Sequence, residues 1–145
     1  MARSLVVVLA LTVFACSFAG TSGRANIHDS APADEYFGPL RESILGIRNR
    51  LIGYERKADR EMLVADTVRG IDNVEKAIED WDHHYPRDPW LAGFMNRVVH
   101  IYGRAHALES DGAHRCLALL ERTFPNTAPA RDALAYVHAN KRGKR

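Results

Sequence analysis

The stretch WDHHYPRDPWL, residues 81–91, decides how this chain folds. It crowds acids and two histidines beside two tryptophans, a tyrosine and two prolines, which suits either a metal site or a corner between two helices. Proline cannot continue a helix and biases the preceding residue away from helical angles, so Tyr85-Pro86 should end one helix. Asp88 can then accept amide hydrogens of the next helix, with Pro89 at a position where a missing N–H costs nothing. The corner is the interpretation we adopt.

Apolar residues on both sides of this stretch recur every three or four positions, which is the period of an amphipathic helix. The five series are Phe37, Leu40, Ile44, Ile47 and Leu51; Val64, Val68, Ile71, Val74, Ile78, Trp81 and Tyr85; Trp90, Leu91, Phe94, Met95, Val98, Ile101, Tyr102 and Ala105; Ala113, Cys116, Leu117, Leu120 and Phe124; and Ala130, Ala133, Leu134 and Val137. No stretch alternates with period two over a useful length, so strands are not indicated. The sequence predicts an all-α domain of about five antiparallel helices.

The boundaries of the first two helices follow from length. A single helix from Asp34 to Tyr85 would be about 75 Å long, which is too long for a compact domain of this size. We therefore predict that the first helix begins near Asp34 and that a break falls between Gly53 and Asp59. Asp59 could cap the second helix.

The corner recurs farther along the chain. Aligning Tyr85-Pro86 with Phe124-Pro125 matches apolar positions about 39 residues apart. The other matched pairs are Trp81 with Leu120, Phe94 with Ala133, Met95 with Leu134, and Val98 with Val137. Self-similarity at such a period is typical of arrays of helical hairpins. In both copies an aromatic side chain should fill the junction between two helices.

The segments YPRDPW (85–90) and FPNTA (124–128) resemble the helix-to-helix junctions of tetratricopeptide-like repeats. The resemblance covers about residues 60–140, and its spacing exceeds the roughly 34 residues usual in that family. It implies helical hairpins stacked into a protein-binding scaffold whose inner groove holds a peptide or helix. The residues expected to build the corners are Trp81, Tyr85, Pro86, Asp88, Pro89, Trp90, Phe124 and Pro125.

The start of the chain has the pattern of an export signal. Arg3 precedes an apolar run from Leu5 to Ala15, which is shorter than the roughly 20 residues that cross a membrane as a helix. Small residues follow, and cleavage after Ala19 would remove residues 1–19 as a signal peptide. The chain is then expected in the periplasm or secreted.

The same residues also fit a second kind of processing, in which a cysteine is lipidated. The residues Val13-Phe14-Ala15-Cys16 resemble a bacterial lipobox, in which Cys16 would receive a lipid and anchor the protein in the outer membrane. Both alternatives export the protein. Residues 20–33 are small and polar, as in a flexible linker, and residues 34–140 form the predicted helical domain.

Charge argues against nucleic-acid binding. Removal of residues 1–19 takes away Arg3 and no acid, so the remaining chain is close to neutral, whereas nucleic-acid binding proteins carry a clustered basic excess. The only dense basic cluster is the tail, residues 141–145. We interpret it as a solvated end, with a weak contact to anionic lipid as the alternative.

A metal site is the competing interpretation of the opening stretch. On a helix, Glu79 with His83 and Asp80 with His84 are each four residues apart, so each pair projects from one side and could chelate. Two ligands do not make a site, and no HExxH pattern or cysteine quartet is present. The alternative function is therefore a metal-dependent or acid-base enzyme using these four residues. We favour a hydrated polar face.

Two further features leave alternatives open. Cys116 lies among leucines, where a buried hydrophobe is favoured over a reactive thiol. The first predicted helix is rich in basic residues that could attract an acidic partner: Arg41, Arg48, Arg50, Arg56 and Lys57. Acids are interspersed at Glu42, Glu55 and Asp59, so a solvated mixed face is the alternative.

Together these patterns predict an exported bacterial protein that binds another protein of the cell envelope. No nucleophile elbow or phosphate-binding glycine loop is present in the sequence, and we predict no catalysis and no cofactor. Contact with a membrane is expected only through the alternative lipid anchor.

Overall fold

The computed structural model describes residues 29–60, 62 and 65–142. The predicted signal peptide, Cys16, most of the predicted linker and the last three residues of the tail lie outside these residues. Within them the elements, in chain order, are β1 (Tyr36–Phe37), β2 (Glu42–Ser43), α1 (Ile44–Asp59), α2 (Ala65–His84), α3 (Leu91–Arg104), α4 (Asp111–Thr123) and α5 (Ala128–Arg142). The fold is all-α, as the helical periodicity predicted.

The first helix begins at Ile44, so the predicted start near Asp34 is wrong. The preceding residues form a small antiparallel hairpin instead, in which Phe37 lies opposite Glu42. The reason is the Gly38-Pro39 dipeptide, a strong turn signal. Gly38 has a φ of +70°, which glycine adopts without steric cost. Ser43 then caps α1, because its side chain accepts a hydrogen bond from the Gly46 amide at 3.2 Å.

The predicted break between Gly53 and Asp59 is also wrong. Gly53 is exposed within α1, and Asp59 is the last residue of that helix rather than the cap of the next. An exposed glycine lowers helix stability by only about 1 kcal/mol, which the packing of the rest of α1 overrides. The Asp59 carboxylate instead pairs with Arg104 of α3 at 2.8 Å.

The helices form two layers. The helices α1, α3 and α5 lie side by side in one layer, while α2 packs against α4 in the other, and each helix also contacts the next along the chain. Short connections join these contacting helices, which indicates that consecutive helices run antiparallel.

The core lies between the two layers, and aromatic rings mark its centre at the first corner. Trp81 is fully buried on α2. Its ring stacks on Phe37 at a centroid distance of 5.7 Å and meets the Phe94 ring edge-on at 5.3 Å. Burial of a tryptophan side chain is among the largest single contributions to a core.

Residues 29–38, which we name the N-terminal strap, run across this corner. The Gly38 amide donates to Asp80 of α2 at 2.8 Å, and the Tyr85 hydroxyl donates to Glu35. Asp29 pairs with Arg87 at 2.7 Å. Residues 29–33 belong to the stretch predicted as a linker, and here they contact the folded domain.

Replacing Gly38 with alanine is expected to lower the free energy of unfolding by about 2 kcal/mol. A Cβ atom at Gly38 would lie 2.6 Å from Cα of Ala77, and the positive φ is strained for any other residue. Gly53 is the matched control, because nothing lies within 4 Å of a Cβ atom there. Gly53→Ala should stabilise α1 by about 0.5–1 kcal/mol. Urea unfolding measures both, and equal effects at the two positions would contradict the docking of the strap.

Candidate functional site

Asp88 organises the first corner. Its side chain is 1% exposed. One carboxyl oxygen accepts hydrogen bonds from the Ala31 amide at 2.9 Å and from Nε1 of Trp81 at 3.0 Å, and the other accepts from the Trp90 amide at 3.0 Å. The sequence predicted an acceptor for the next helix at this position, but α3 begins at Leu91 rather than at Pro89. The strap, the end of α2 and the start of α3 therefore meet at a single side chain.

The aromatic residues of the corners differ in exposure. Trp81 is fully buried, Tyr85 and Phe124 are half-buried against the core, and the three prolines at positions 86, 89 and 125 are exposed. Trp90 is 64% exposed, although its spacing placed it in an apolar series. Trp90 is thus exposed although the next residue, Leu91, is fully buried.

The second corner repeats the backbone hydrogen bonds of the first. The matching bonds are Tyr85 N to Trp81 O at 2.8 Å and Phe124 N to Leu120 O at 3.0 Å, then Asp88 N to Tyr85 O at 3.0 Å and Thr127 N to Phe124 O at 3.0 Å. Thr127 also stands where Asp88 stands in the first copy, and its hydroxyl accepts from the Ala130 amide at 3.3 Å. The two corners thus share one backbone geometry and a polar cap.

The four residues of the predicted metal cluster are divided between two surroundings. Asp80 and His84 pair at 3.3 Å on the side that faces the strap, where His84 also lies against Phe37. Glu79 and His83 line a separate pocket of about 250 Å³ beside α4. The rings of His83 and His84 are 5.4 Å apart. Among the residues that the structure describes, no group of three or more potential ligands lies close enough to hold a metal ion.

Buried charges lie beside this second pocket. The Glu75 carboxylate is fully buried and receives two hydrogen bonds from Arg115, at 2.9 and 2.6 Å. Burial raises the pKa of Glu75, and the hydrogen bonds from Arg115 oppose that rise. Burial likewise raises the pKa of Asp82, which pairs with Arg122 at 3.8 Å. These charges join α2 to α4.

An apolar groove opens where the strap, the start of α1 and the start of α3 meet. It has a volume of about 490 Å³. Its apolar walls come from Ala31, Ala33, Ile44, Leu45, Trp90 and Phe94. Leu45 is 55% exposed, and Gly93 leaves open space at the groove, since nothing lies within 4 Å of a Cβ atom placed there. A concave apolar surface of this size is the usual form of a binding site.

Among the described residues, some of the charged side chains that line the apolar groove are paired within the protein, and one is not. Both oxygens of Asp88 accept hydrogen bonds from the protein, and Arg97 makes a bidentate pair with Glu55 at 2.7 and 2.8 Å. Arg48 is exposed at the rim, and no ion pair or hydrogen bond joins its side chain to any other part of the chain that the structure describes. The uncompensated charge of the groove is therefore positive.

A smaller polar pocket of about 210 Å³ adjoins the groove through Arg97, which lines both. In this pocket Asp132 of α5 accepts hydrogen bonds from Asn96 at 2.9 Å and from His100 at 3.0 Å. The hydrogen bond from Asn96 and the nearby His100 lower the pKa of Asp132. We name the apolar groove and this polar pocket together the binding face. It lies on the layer of α1, α3 and α5.

Comparison with known proteins does not add to this geometry: no family model, no curated protein and no solved structure matches the chain. None of the helices in the described residues is both long and apolar enough to span a membrane.

Proposed function

We propose that the protein is an exported, non-catalytic module of the cell envelope that binds another protein through the binding face. The observation that carries the proposal is the apolar groove, which leaves Trp90 and Leu45 exposed beside an unpaired Arg48. Tryptophan and arginine are enriched among the residues that dominate binding energy in protein interfaces. Large apolar side chains that line an open surface typically mark a site of interaction.

The arrangement of helices supports a scaffold of tetratricopeptide-like hairpins. One layer, α1, α3 and α5, carries the binding face, and the other, α2 and α4, supports it from behind. The equivalent corners, 39 residues apart, agree with a repeated hairpin unit. Stacked hairpins characteristically present one layer of helices as an extended surface for a partner.

The geometry supports this binding role better than an enzyme using Glu79, Asp80, His83 and His84. Those residues face two surroundings, and Asp80 already accepts a hydrogen bond from Gly38 and pairs with His84. A general base must reach its substrate from a site that positions both. The apolar groove lies by Asp88 and Arg48 instead, and the four residues are not among those that line it.

Export is the remaining part of the proposal, and it rests on residues 1–19. Intact-mass measurement of the mature protein tests it. A mass that begins near Gly20 is expected for simple cleavage, while a chain that begins with an acylated Cys16 indicates the lipid-anchored alternative. Recovery of the chain with residues 1–19 still attached would contradict both.

Photo-crosslinking in the native envelope tests the partner. A photoreactive amino acid at Leu45, on the binding face, is expected to capture one specific protein. Lys76, exposed on α2 in the other layer, is the matched control position. Capture that is equally frequent at both positions, or no specific capture at Leu45, would contradict the proposed binding role.

Blocking the groove should strongly reduce the same crosslink. Gly93→Phe places a ring in the open space at the apolar groove, whereas Gly93→Ala adds only a methyl group there. Both substitutions replace glycine within α3, so neither should destabilise the helix. We expect Gly93→Phe to reduce partner capture at least about tenfold, which corresponds to the loss of about 1.4 kcal/mol of binding energy, and Gly93→Ala to leave it nearly unchanged. Equal capture by the two variants would show that the partner does not use the groove.

A further inference from the structure

We infer that the apolar groove binds a linear acidic segment of the partner, with one large apolar side chain in the groove and a neighbouring carboxylate on Arg48. The inference rests on the proposed function, since it names the chemistry of the partner that the binding face would recognise.

The size of the groove sets the apolar part of the ligand. A volume of about 490 Å³ lies toward the lower end of the range for ligand sites, roughly 300–1,000 Å³. The ring of Trp90 and the side chain of Leu45 stand at its rim, exposed by 64% and 55%. A leucine, phenylalanine or similar side chain entering the groove would cover both, and covering them removes apolar surface from water.

The charged residues that line the groove indicate which charge the ligand carries. Asp88 is a poor partner for a cationic ligand, because it is 1% exposed and both of its oxygens already accept hydrogen bonds from the protein. Glu55 and Arg97 likewise satisfy each other. Arg48 is left as the rim charge to be neutralised, and a guanidinium binds a carboxylate in a bidentate geometry. A neutral or basic segment would leave Arg48 uncompensated.

The chain's own beginning does not supply this ligand. The strap lines the groove at Ser30 and Ala31, and residues 1–28 precede the strap in the sequence. These residues include Arg3 and Arg24 but no aspartate or glutamate. The beginning of the chain is therefore not the acidic segment, and we assign that segment to another molecule.

Isothermal titration with defined peptides tests the inference. The probes are blocked nonapeptides of glycine and serine with a central leucine flanked by two glutamates, two glutamines or two lysines. We expect the glutamate peptide to bind about tenfold more tightly than the lysine peptide at low salt, and the difference to shrink as salt screens the rim charge.

Two charge reversals on α1 show where the acid binds. Arg48→Glu should weaken binding of the glutamate peptide about tenfold and favour the lysine peptide. Arg56→Glu changes the net charge equally, but Arg56 is exposed away from the groove, so the affinity should change less than about twofold. Equal affinities for the three peptides, no measurable binding, or equal effects of the two reversals would overturn the inference.

Two other occupants give distinct results. Sodium decanoate that binds in the groove while the glutamate peptide does not would assign the site to a free amphiphile. A mass that rises with protein concentration in sedimentation, and falls in Gly93→Phe, would assign it to a second copy of the chain. Either result overturns the inference. If Leu45 still captures a specific partner in the envelope, the proposed function stands without it.

Discussion

The Asp88→Ala variant is expected to lose about 3–5 kcal/mol of its free energy of unfolding. The substitution removes the acceptor of three hydrogen bonds within a site that is 1% exposed. The buried indole N–H of Trp81 and the amides of Ala31 and Trp90 would then lack their partner. An unsatisfied buried donor costs about 1–3 kcal/mol, so the effect should exceed that of losing one hydrogen bond.

Asp88→Asn is the matched control, because the amide oxygen keeps the shape and one acceptor. It should retain part of the network and cost about 1–2 kcal/mol. Urea unfolding followed by circular dichroism measures both variants. A loss of less than about 1 kcal/mol in Asp88→Ala would contradict the role of this side chain in joining the strap to the corner.

The second large effect is expected from Arg115→Ala, which should lower stability by about 3 kcal/mol at neutral pH. The substitution leaves the carboxylate of Glu75 buried without its partner. Arg115 itself is 40% exposed, so solvent already screens part of the interaction, and we expect the lower end of the range for a broken buried pair.

The loss should depend on pH in a definite direction. Burial raises the pKa of Glu75 above its ordinary value of 4.5, and removing Arg115 raises it further. The folded state therefore binds a proton more readily than the unfolded chain, and stability falls as pH rises from the unfolded pKa through the folded one. The deficit of Arg115→Ala should be smaller at about pH 5 than at about pH 7.5.

A double variant separates the broken pair from the missing volume. Replacing both Glu75 and Arg115 with leucine removes the buried charge along with its partner, and the stability should return to within about 1.5 kcal/mol of the original protein. A double variant as unstable as Arg115→Ala would show that the loss comes from packing rather than from the unpaired carboxylate.

The helix faces were predictable because burial follows a simple period. Trp81 and Leu120, matched by the alignment of the two corners, are both fully buried, and Val98 and Val137 are both buried. Apolar residues every three or four positions must share one side of a helix, and that side must be covered. The spacing of apolar residues is therefore sufficient to predict which face of each helix is buried.

The beginning of the domain was not predictable from the same period. Phe37 and Leu40 continue the helical spacing of α1, yet Phe37 is buried in a hairpin and Leu40 is 49% exposed. The turn at Gly38-Pro39 outweighs these two matching positions, because a proline and a positive φ are both incompatible with a helix interior. The Gly38-Pro39 dipeptide is therefore a better indicator of where α1 begins than the apolar spacing is.

The groove could be inferred from sequence only in part. Leu45 and Trp90 are recognisable as apolar from sequence, but spacing does not show which apolar neighbours stay exposed: Val98 and Val99 are adjacent and both fully buried, whereas Trp90 beside buried Leu91 is 64% exposed. The groove itself depends on the strap, which reaches Asp88 from 57 residues away in the chain. No local pattern encodes that contact.

The two tryptophans give the protein a pair of independent optical reporters. The indole of Trp81 is sealed in the interior and donates to Asp88, whereas that of Trp90 is open to solvent at the groove. A small quencher such as acrylamide would reach Trp90 first, and a bound partner would shield it. Protection of Trp90 from the quencher would therefore report occupancy of the groove, whereas access of the quencher to Trp81 would report unfolding of the domain.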